Sequence, residues 1–428
     1  MRILILTFAL LLLLFSLLGE QGLTYRPKRA EVKELNERLA GTSGRFHDTS
    51  YQAFMQSYKP FGDYLNWGEW RDFKNDGEIV MHESGLPQVQ DGEKLYWNTV
   101  ALSHYALTMY GRYLRGDNTA QQMFFAAADK LLDLQREDGG FPYPSRQHRH
   151  TTLKDGWVSA MAQGNALSVF ARALQLKEEP RYRKAGEIAM RNLLTPVAQG
   201  GSFTTMADLD ASMSDYVFFP EYPNTPIDYT LNGYMFALLG IYDWSNVKSA
   251  NQQEAVNAFH DGMSTLDRIL PLFDIDGFSA YDLAHIVLKL PPYVAAEYLG
   301  IHVYLLHALN SIAPSKVLTH YERKWQAKVD EMNRTLKFTK IILSEPAGKV
   351  GQSLLVDLDA AGGTDAQKLY KMEVRLDGVW TPVSDYGDSS KLTWTPRMAG
   401  SYVLGFFIKN ADSKQEFDNF RYQAFEVD

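Results

Sequence analysis

Residues 156–173 read GWVSAMAQGNALSVFARA, and this stretch decides the fold of the chain. Its glycine, alanine and serine residues are typical of a helix that packs closely against other helices. Gln163 lies among apolar neighbours, and a buried polar side chain needs a hydrogen-bond partner. The pattern therefore predicts an inner helix with close helix contacts.

Other helical segments lie on both sides of this one. After Trp97 the apolar residues fall on one helical face, namely Ala101, Leu102, Tyr105, Met109 and Tyr113. The same spacing predicts helices at about 119–136, 158–176, 180–194, 229–246, 251–270, 297–312 and 316–334. Because these segments pair into hairpins, we predict an α/α toroid, an incomplete helical barrel whose inner helices line a cleft and whose outer helices wrap them.

The pattern changes after Leu336. Residues 338–428 alternate polar and apolar side chains at period two, with glycine and aspartate turns, which predicts an all-β module. Trp394-Thr395-Pro396 and Gly400-Ser401-Tyr402 resemble the last strands of bacterial immunoglobulin-like sandwiches. The predicted domains are a signal peptide or N-terminal anchor at 1–22, an N-terminal extension at 23–78, a helical catalytic domain at 79–336 and an immunoglobulin-like sandwich at 338–428.

The N-terminus predicts export. Arg2 precedes an apolar run from Ile3 to Leu18, which has the basic start and apolar middle of a secretory signal. As a helix the run would span roughly 24 Å, less than the ~30 Å hydrocarbon core of a bilayer. We expect a periplasmic protein, with an uncleaved anchor on the outer side of the inner membrane as the alternative. The sequence leaves the oligomeric state open, a dimer included.

Charge and composition exclude several functions. The 43 basic and 51 acidic residues give a formal net charge of −8, which argues against a nucleic-acid partner. A locally basic cleft that binds an acidic polysaccharide remains compatible with that charge. The chain contains no cysteine, so any catalysis must use oxygen and nitrogen groups.

Six segments resemble the D-glucuronyl C5-epimerase family in order and spacing. The GWVSAMAQGNALSVFARA stretch resembles an inner helix of that family, and Trp97–Leu107 resembles its first inner helix. Pro220–Pro223 with Leu231–Met235 resembles the Glu-Tyr-Pro loop and the helix after it. Tyr281–His285 and Ala296–His302 resemble two tyrosine motifs. Together the segments cover about 80–335.

This resemblance implies an isomerase that converts D-glucuronate to L-iduronate within a heparosan-like polysaccharide. The proton at carbon 5 is α to a carboxylate and weakly acidic, so its removal needs a positioned base, an acid on the other face and donors that stabilise an enediolate. By resemblance, Glu221 and Tyr298 are the acid/base pair, and Tyr222 and Tyr281 orient the ring or stabilise charge. We expect neighbouring groups to lower the pKa of such tyrosines from about 10.

Further residues in or beside these segments are candidate substrate contacts. They are Tyr105, Tyr143, Arg146, Arg149, Trp157, Gln163, Asn232, His285 and His302. Tyr143 closes the aromatic turn Asp138–Tyr143, whose glycines alternatively only form the turn.

Two residues depart from the family pattern. Ala284 occupies the position of an arginine in the tyrosine motif, and Leu299 the position of a histidine. Loss of that arginine removes a bidentate partner for the substrate carboxylate. A basic run just before the inner helix offers replacement cations, although such a run is also typical of a solvated loop; it comprises Arg146, His148, Arg149, His150 and Lys154.

The sequence predicts neither a metal nor a redox cofactor. His285 and His302 have no third ligand at a suitable spacing, so we interpret them as hydrogen-bonded active-site or core residues. Asp274-Ile275-Asp276-Gly277 resembles the start of a calcium loop, but the later carboxylates are out of register.

Two other functions remain open. A polysaccharide lyase begins with the same proton abstraction and then expels the group at carbon 4. A non-catalytic glycan-binding protein is consistent with Ala284 and Leu299. The sequence does not identify the polymer.

Overall fold

The protein is described here by a computed structural model that covers residues 56–71, 73, 79–149 and 151–428. The predicted signal or anchor, the first part of the predicted extension and His150 lie outside these residues. Within the described part, no helix has the length and apolar character needed to cross a membrane. The chain divides into two compact units, with a boundary between Lys324 and Trp325. The described residues before this boundary form the helical unit.

The described α-helices follow the predicted order closely. They are α1 (Trp67–Trp70), α2 (Thr99–Leu114), α3 (Asn118–Leu134), α4 (Ala160–Leu176), α5 (Pro180–Leu193), α6 (Leu231–Ser245), α7 (Gln252–Phe273), α8 (Ala284–Val287), α9 (Ala296–Ile312) and α10 (Lys316–Arg334). Local chemistry sets several starts: Asn98 accepts from the amide of Ala101 at 3.0 Å, Asp117 accepts from that of Thr119 at 3.0 Å, and Pro180 begins α5.

Short strands connect the helices. In the helical unit they are β1 (Ile79–Met81), β2 (Pro87–Asp91), β3 (Lys94–Tyr96), β4 (Pro142–Tyr143), β5 (Arg146–His148), β6 (Thr151–Leu153), β7 (Trp157–Val158), β8 (Thr204–Thr205), β9 (Val217–Phe218), β10 (Asp274–Ile275) and β11 (Phe278–Ser279). All of their pairings are antiparallel, so each forms a hairpin or a small sheet near the helix ends.

The helices form an inner and an outer layer. Inner helices α2, α4 and α6 are buried along most of their length, and each pairs in a hairpin with the helix that follows it. The outer helices α3, α5 and α7 bury one face only. Helix α4 contacts α2 and α6, and α6 contacts α9, so the inner helices are neighbours in chain order.

Close contact between α4 and α6 explains the small residues that the sequence places there. A Cβ atom on Gly240 would lie 1.9 Å from the carbonyl oxygen of Gly164, and one on Gly164 would lie 2.6 Å from the Cα of Ala237. Both obstacles are backbone atoms, which no side-chain rotation removes. The two helices therefore pack backbone against backbone.

Replacing Gly240 by alanine is expected to lower the free energy of unfolding by about 3 kcal/mol, because the two helices must separate to admit the methyl group. Elsewhere in a helix the same change is usually favourable. Urea denaturation measures the effect, with exposed Asn257→Ala on α7 as the control, which should shift stability by no more than about 0.5 kcal/mol. Equal stability of the Gly240→Ala variant and the parent would contradict the backbone contact.

Gln163 finds its partners in the backbone of neighbouring segments. Its Oε1 accepts from the amide of Phe141 at 3.0 Å, and its Nε2 donates to the carbonyls of Gly139 and Ala189 at 3.1 Å each. The side chain is fully buried. It therefore fixes the Asp138–Tyr143 turn to α4.

The C-terminal unit contains strands in two antiparallel sheets. These strands are β12 (Lys337–Leu343), β13 (Leu354–Ala361), β14 (Lys368–Leu376), β15 (Val379–Gly387), β16 (Lys391–Trp394), β17 (Gly400–Asn410) and β18 (Asn419–Val427). One sheet has the order β12-β13-β16 and the other β15-β14-β17-β18. Alternate side chains, among them Val356, Met372 and Phe406, form the core.

The predicted helical domain followed by a β domain is confirmed. The layered hairpins are those that a toroid requires, while closure into an incomplete toroid and the immunoglobulin-like assignment stay predictions. The predicted boundaries at 78/79 and 336–338 also stay predictions.

Candidate active site

A cavity of about 330 Å³ lies where the N-terminal ends of four inner helices meet. Its wall includes Asn98 before α2, Ser159 before α4, Asn232 in the first turn of α6 and Tyr298 in the first turn of α9. The N-terminus of a helix carries a partial positive charge, and its first amides have no intrahelical partner. Four such ends favour a negatively charged group in the cavity.

Glu221 is placed in the cavity wall by the loop between β9 and α6. The carbonyl of Pro220, just before it, accepts a hydrogen bond from the amide of Ala160 at 3.0 Å. A Cβ atom on Gly233 would lie 2.3 Å from Glu221 Oε2, so only glycine fits there. Burial raises the pKa of Glu221 to about 7, and Asp228 contributes further, although the Tyr222 hydroxyl and Arg146 oppose the shift. The carboxyl group can therefore exchange a proton near neutral pH.

Tyr222 and Tyr281 form a hydrogen-bond chain that ends on this carboxylate. The hydroxyl of Tyr281 donates to that of Tyr222, which donates to Glu221. Burial and the charge of Glu221 raise the pKa of both phenols well above 10. This corrects the expectation that neighbouring groups lower the pKa of these tyrosines. Both remain protonated and serve as donors.

Tyr298 completes the group of four residues predicted to be catalytic. Its ring centroid lies 4.4 Å from that of Tyr281, and it lines the same cavity as Glu221. Tyr293 packs against both of these rings, at 5.6 Å from Tyr281 and 6.3 Å from Tyr298 between ring centroids. The structure therefore brings together Glu221, Tyr222, Tyr281 and Tyr298, although they come from three segments of the chain.

The basic run forms the β5–β6 hairpin, and its side chains have different surroundings. Arg146 lines the cavity, with its guanidinium 5.7 Å from the Tyr222 ring. Burial lowers the pKa of Arg146, but the surrounding acidic groups Tyr222, Tyr281 and Glu221 outweigh burial and raise it. His148 stacks on Tyr222 at 3.7 Å and pairs with Asp228 at 2.6 Å. Its neighbour in sequence, Arg149, pairs with buried Asp282.

These contacts separate the predicted cations by role. The hairpin is held by the His148–Asp228 hydrogen bond and the Arg149–Asp282 ion pair, and Arg146 is its cation that lines the cavity. Arg149 instead lies 5.7 Å from the ring of Tyr281, outside the residues that line the cavity. Lys154 lines a neighbouring cavity of about 450 Å³.

Arg71 is a cavity residue that the sequence analysis missed. It lies 4.4 Å from the Trp67 ring and 5.1 Å from the Phe73 ring, and its Nη2 is 3.1 Å from His104 Nδ1. Burial and then the charge of Arg71 lower the pKa of His104 well below its usual value, so the imidazole is neutral and accepts this hydrogen bond. The aromatic–basic cluster WGEWR at 67–71 was the available signal.

The other predicted contacts divide between the cavity and the core. Tyr143, Trp157 and Asn232 line the cavity, and the rings of Tyr143 and Trp157 stack at 4.8 Å. Tyr105 is buried against Phe73 at 5.5 Å, outside the cavity lining.

Gln163 and both predicted histidines also lie outside that lining. His285 is buried in α8, and His302 Nδ1 is 2.7 Å from Ser279 Oγ. Burial lowers the pKa of His302 to about 3, so this ring is neutral.

Metal ligands do not assemble in the part of the chain that the structure describes, where no three His, Asp or Glu side chains form a candidate group. Asp274 and Asp276 lie in or beside the β10–β11 hairpin, and Asp274 Oδ2 pairs with Lys324 at 2.6 Å. The calcium-like sequence is therefore a hairpin turn.

The fold and the cavity define a class of protein: a helical-hairpin protein in which a glutamate and three tyrosines line a cavity at the N-terminal ends of its inner helices. Residues 135–327 match the family model described as D-glucuronyl C5-epimerase C-terminus. This part of the chain belongs to that family.

Two individual relatives match parts of the chain, and the first of them bears the family's name. The chain is 30% identical over 266 residues to the D-glucuronyl C5-epimerase of Caenorhabditis elegans, which covers 59% of this chain and 40% of the relative. An uncharacterized protein of Methanocaldococcus jannaschii is 27% identical over 175 residues, covering 41% and 53%. The chain thus spans about half or less of the length of each.

A comparison of structures adds no argument about the fold. A family 76 glycoside hydrolase from a bovine Bacteroides thetaiotaomicron strain aligns over 56% of this chain and 49% of its own at 11% identity, with a TM-score of 0.39. That score is too low to support a fold assignment.

Proposed function

We propose that this protein is an isomerase that inverts carbon 5 of D-glucuronate units in an acidic polysaccharide, giving L-iduronate. One observation carries the proposal: Glu221, with a pKa of about 7, and Tyr298 line one cavity together with two arginines. The Caenorhabditis elegans relative, which bears the epimerase name, and the family match support the same reaction. The four helix N-termini suit a substrate that carries a carboxylate.

The reaction requires a proton to leave one face of the sugar ring and another to arrive on the opposite face. Glu221 removes the proton in one direction, since a carboxylate with a pKa near neutrality is an effective general base. Tyr298 supplies a proton to the other face. In the reverse direction the two residues exchange roles.

The remaining tyrosines act as donors. Tyr222 holds the Glu221 carboxylate, and Tyr281 holds Tyr222, so the base keeps one orientation. Because both phenols stay protonated, neither competes with Glu221 for the proton at carbon 5.

Charge at the substrate carboxylate increases as the enediolate forms. Ala284, where the resembled motif has arginine, is 2% exposed and supplies no cation. Arg71 and Arg146 both line the cavity, and a guanidinium binds a carboxylate with two parallel hydrogen bonds. We assign binding of the substrate carboxylate, the role of the missing arginine, to Arg71 and Arg146.

Replacing Arg71 or Arg146 by alanine is expected to reduce kcat/KM about 10- to 100-fold, which corresponds to the loss of a charge-assisted hydrogen bond to the substrate. The salt dependence of polysaccharide binding should weaken as well. Exposed Arg191 on α5 offers a matched control, since Arg191→Ala removes the same charge far from the cavity lining. Unchanged kinetics and salt dependence in both cavity variants would exclude this assignment.

The function is tested by incubating heparosan, a polymer of glucuronate and N-acetylglucosamine, with the full chain in deuterated water. An epimerase introduces deuterium at carbon 5 and preserves the chain length. Shortened chains with ultraviolet-absorbing unsaturated ends would identify a lyase, and binding without exchange would identify a glycan-binding protein. Nuclear magnetic resonance and size-exclusion chromatography read the outcomes.

A further inference from the structure

The outer face of the four-stranded sheet carries a connected row of aromatic rings. Trp380 lies 5.2 Å from Tyr422, Tyr422 lies 4.9 Å from Phe420, and Phe420 lies 5.2 Å from Phe417, all between ring centroids. Phe407 packs against Phe417, Phe420 and Tyr422. We call these five residues the aromatic strip.

Strand register explains how rings from different strands meet. Trp380 on β15 pairs with Arg375 on β14, and Gly405 on β17 pairs with Tyr422 on β18. A Cβ atom on Gly405 would lie 3.0 Å from Cζ3 of Trp380. The absence of a side chain at Gly405 therefore lets the indole extend over the central strands toward Tyr422.

The aromatic strip is not the core of the β unit. Side chains from the opposite face of the same strands, such as Leu404 and Phe406 on β17, form that core. On the strip, Tyr422 remains 52% exposed and Phe420 37% exposed, Trp380 and Phe417 are half-buried, and Phe407 is buried. Exposed, contiguous aromatic surface is costly in water and marks a binding surface.

Cations lie among these rings. The guanidinium of Arg375 is 5.4 Å from the Trp380 ring, and the ammonium of Lys371 is 5.7 Å from the Phe407 ring. Beside the strip, Lys409 lies 4.7 Å from the ring of Tyr386. Lys371 pairs with Glu373 at 2.6 Å, whereas Arg375 and Lys409 form no ion pair with any residue in the described ranges.

Burial and then the charges of Glu416, Asp418 and Glu373 raise the pKa of Tyr386 beside the strip to about 12, and two of these three carboxylates are already engaged. Asp418 accepts from the backbone amide of Asn410 at 2.8 Å and also from the hydroxyl of Ser413. Glu373 is neutralised by Lys371. The strip therefore offers aromatic faces next to two available positive charges.

We propose that the aromatic strip is a second, non-catalytic binding site for an acidic polysaccharide. Aromatic faces stack on the apolar C–H face of a sugar ring, and Arg375 and Lys409 bind uronate carboxylates. The choice of a uronate polymer rests on the proposed function. The strip would hold a long substrate on the protein while the catalytic cavity acts on its units.

A protein partner fits these observations less well. A dry apolar interface would remove water from Arg375, Lys409 and the Lys371–Glu373 pair, and burial of such charges is costly. A polysaccharide that lies along the sheet face keeps them hydrated or pairs them with carboxylates. An extended, open face also suits a linear polymer better than a compact ligand.

The test uses the full chain with Glu221→Gln as the background, so that binding is measured without turnover. Trp380→Ala with Tyr422→Ala is expected to weaken binding to long heparosan at least about 10-fold. A second variant, Arg375→Ala with Lys409→Ala, should reduce the salt dependence of binding and leaves the rings in place. Leu355→Ala with Met398→Ala is the matched control, since these apolar side chains are 58% and 61% exposed and lie off the strip.

The wild-type background separates this site from the catalytic one. In that background, the Trp380/Tyr422 variant should exchange the proton at carbon 5 of a short heparosan tetrasaccharide at the parental rate. Its KM for the long polymer should increase. If the parent performs no exchange but binding still depends on the strip, the proposed function fails and the binding site stands.

Several results would overturn the proposal. These are equal binding of long heparosan by the strip variants and the control, no binding by the parent, and equally strong binding of neutral dextran. Conversion of an oligomer to a monomer by the Trp380/Tyr422 change, seen by sedimentation, would show instead that the strip joins copies of this chain.

Discussion

Replacing Glu221 by glutamine is expected to slow proton exchange at carbon 5 by about 10²- to 10⁴-fold, the usual contribution of a general base. Glutamine has nearly the same shape and still accepts a hydrogen bond from Tyr222, but it cannot take up a proton. The loss should therefore appear in kcat, with little change in KM. Deuterium incorporation into heparosan measures it.

Tyr298→Phe is expected to cause a loss of similar size, because it removes the proton donor for the other face. Tyr293→Phe is the matched control: it deletes a hydroxyl from the same tyrosine cluster, but Tyr293 does not line the cavity. Near-parental exchange in Tyr298→Phe, or equal losses in both variants, would contradict the assignment of Tyr298.

The raised pKa of Glu221 predicts the pH dependence of both activity and stability. As a base, Glu221 must be ionised, so exchange in its direction should increase with pH up to about 7. Between about pH 4.5 and 7 the unfolded chain loses this proton while the folded protein keeps it. The free energy of unfolding should therefore decrease by about 3 kcal/mol over that interval.

Comparison with the glutamine variant isolates this effect from other titrating groups, such as Asp282 with a pKa of about 6. The Glu221→Gln protein should lack the part of the decrease that Glu221 contributes, and so gain stability relative to the parent as pH rises. Parallel stability profiles from pH 4 to 8 would show that Glu221 titrates normally.

Replacing Arg172 by methionine is expected to destabilise the helical unit by about 3–5 kcal/mol. Arg172 on α4 and Asp243 on α6 are fully buried, and Nη1 lies 2.6 Å from Oδ2. Asp243 also accepts from the hydroxyl of Tyr58 at 2.8 Å, and Arg172 Nε donates to the carbonyl of Gly62 at 3.1 Å. The variant leaves the buried carboxyl group of Asp243 without its cation, so that it must either stay charged at a desolvation cost or take up a proton.

The ion pair also anchors the segment from Tyr58 to Gly62, through the Tyr58 hydroxyl and the Gly62 carbonyl. A second variant, Arg172→Met with Asp243→Leu, should recover much of the stability, since it removes both charges. Chemical denaturation measures both effects. A loss below about 1 kcal/mol in Arg172→Met would show that the pair is not important for stability.

Helical spacing and small residues determined the order of the helices. The predicted ends lie within a few residues of the observed ones, because periodicity and caps such as Asn98 are local properties. The resemblance also identified four residues that the structure places around one cavity. Family patterns of this kind preserve the identity of residues that are distant in the chain.

Other features depended on tertiary structure. Arg71 was missed because it reaches the cavity only through its packing between Trp67 and Phe73. Arg149 was expected to contact the substrate, but its guanidinium forms an ion pair with Asp282, which lies 133 residues further along the chain. Partners at such separation leave no local pattern in the sequence.

The stretch 156–173, most of which forms the inner helix α4, illustrates the division between sequence and structure. Its own residues determine that it is a helix with close neighbours, since small side chains at successive turns permit little else. Its polar residue Gln163 serves the backbone of a turn, whereas the adjacent loop places Glu221 in the cavity. Only the tertiary structure decided these roles, because burial, hydrogen-bond partners and the pKa of a carboxyl group arise from segments that meet after folding.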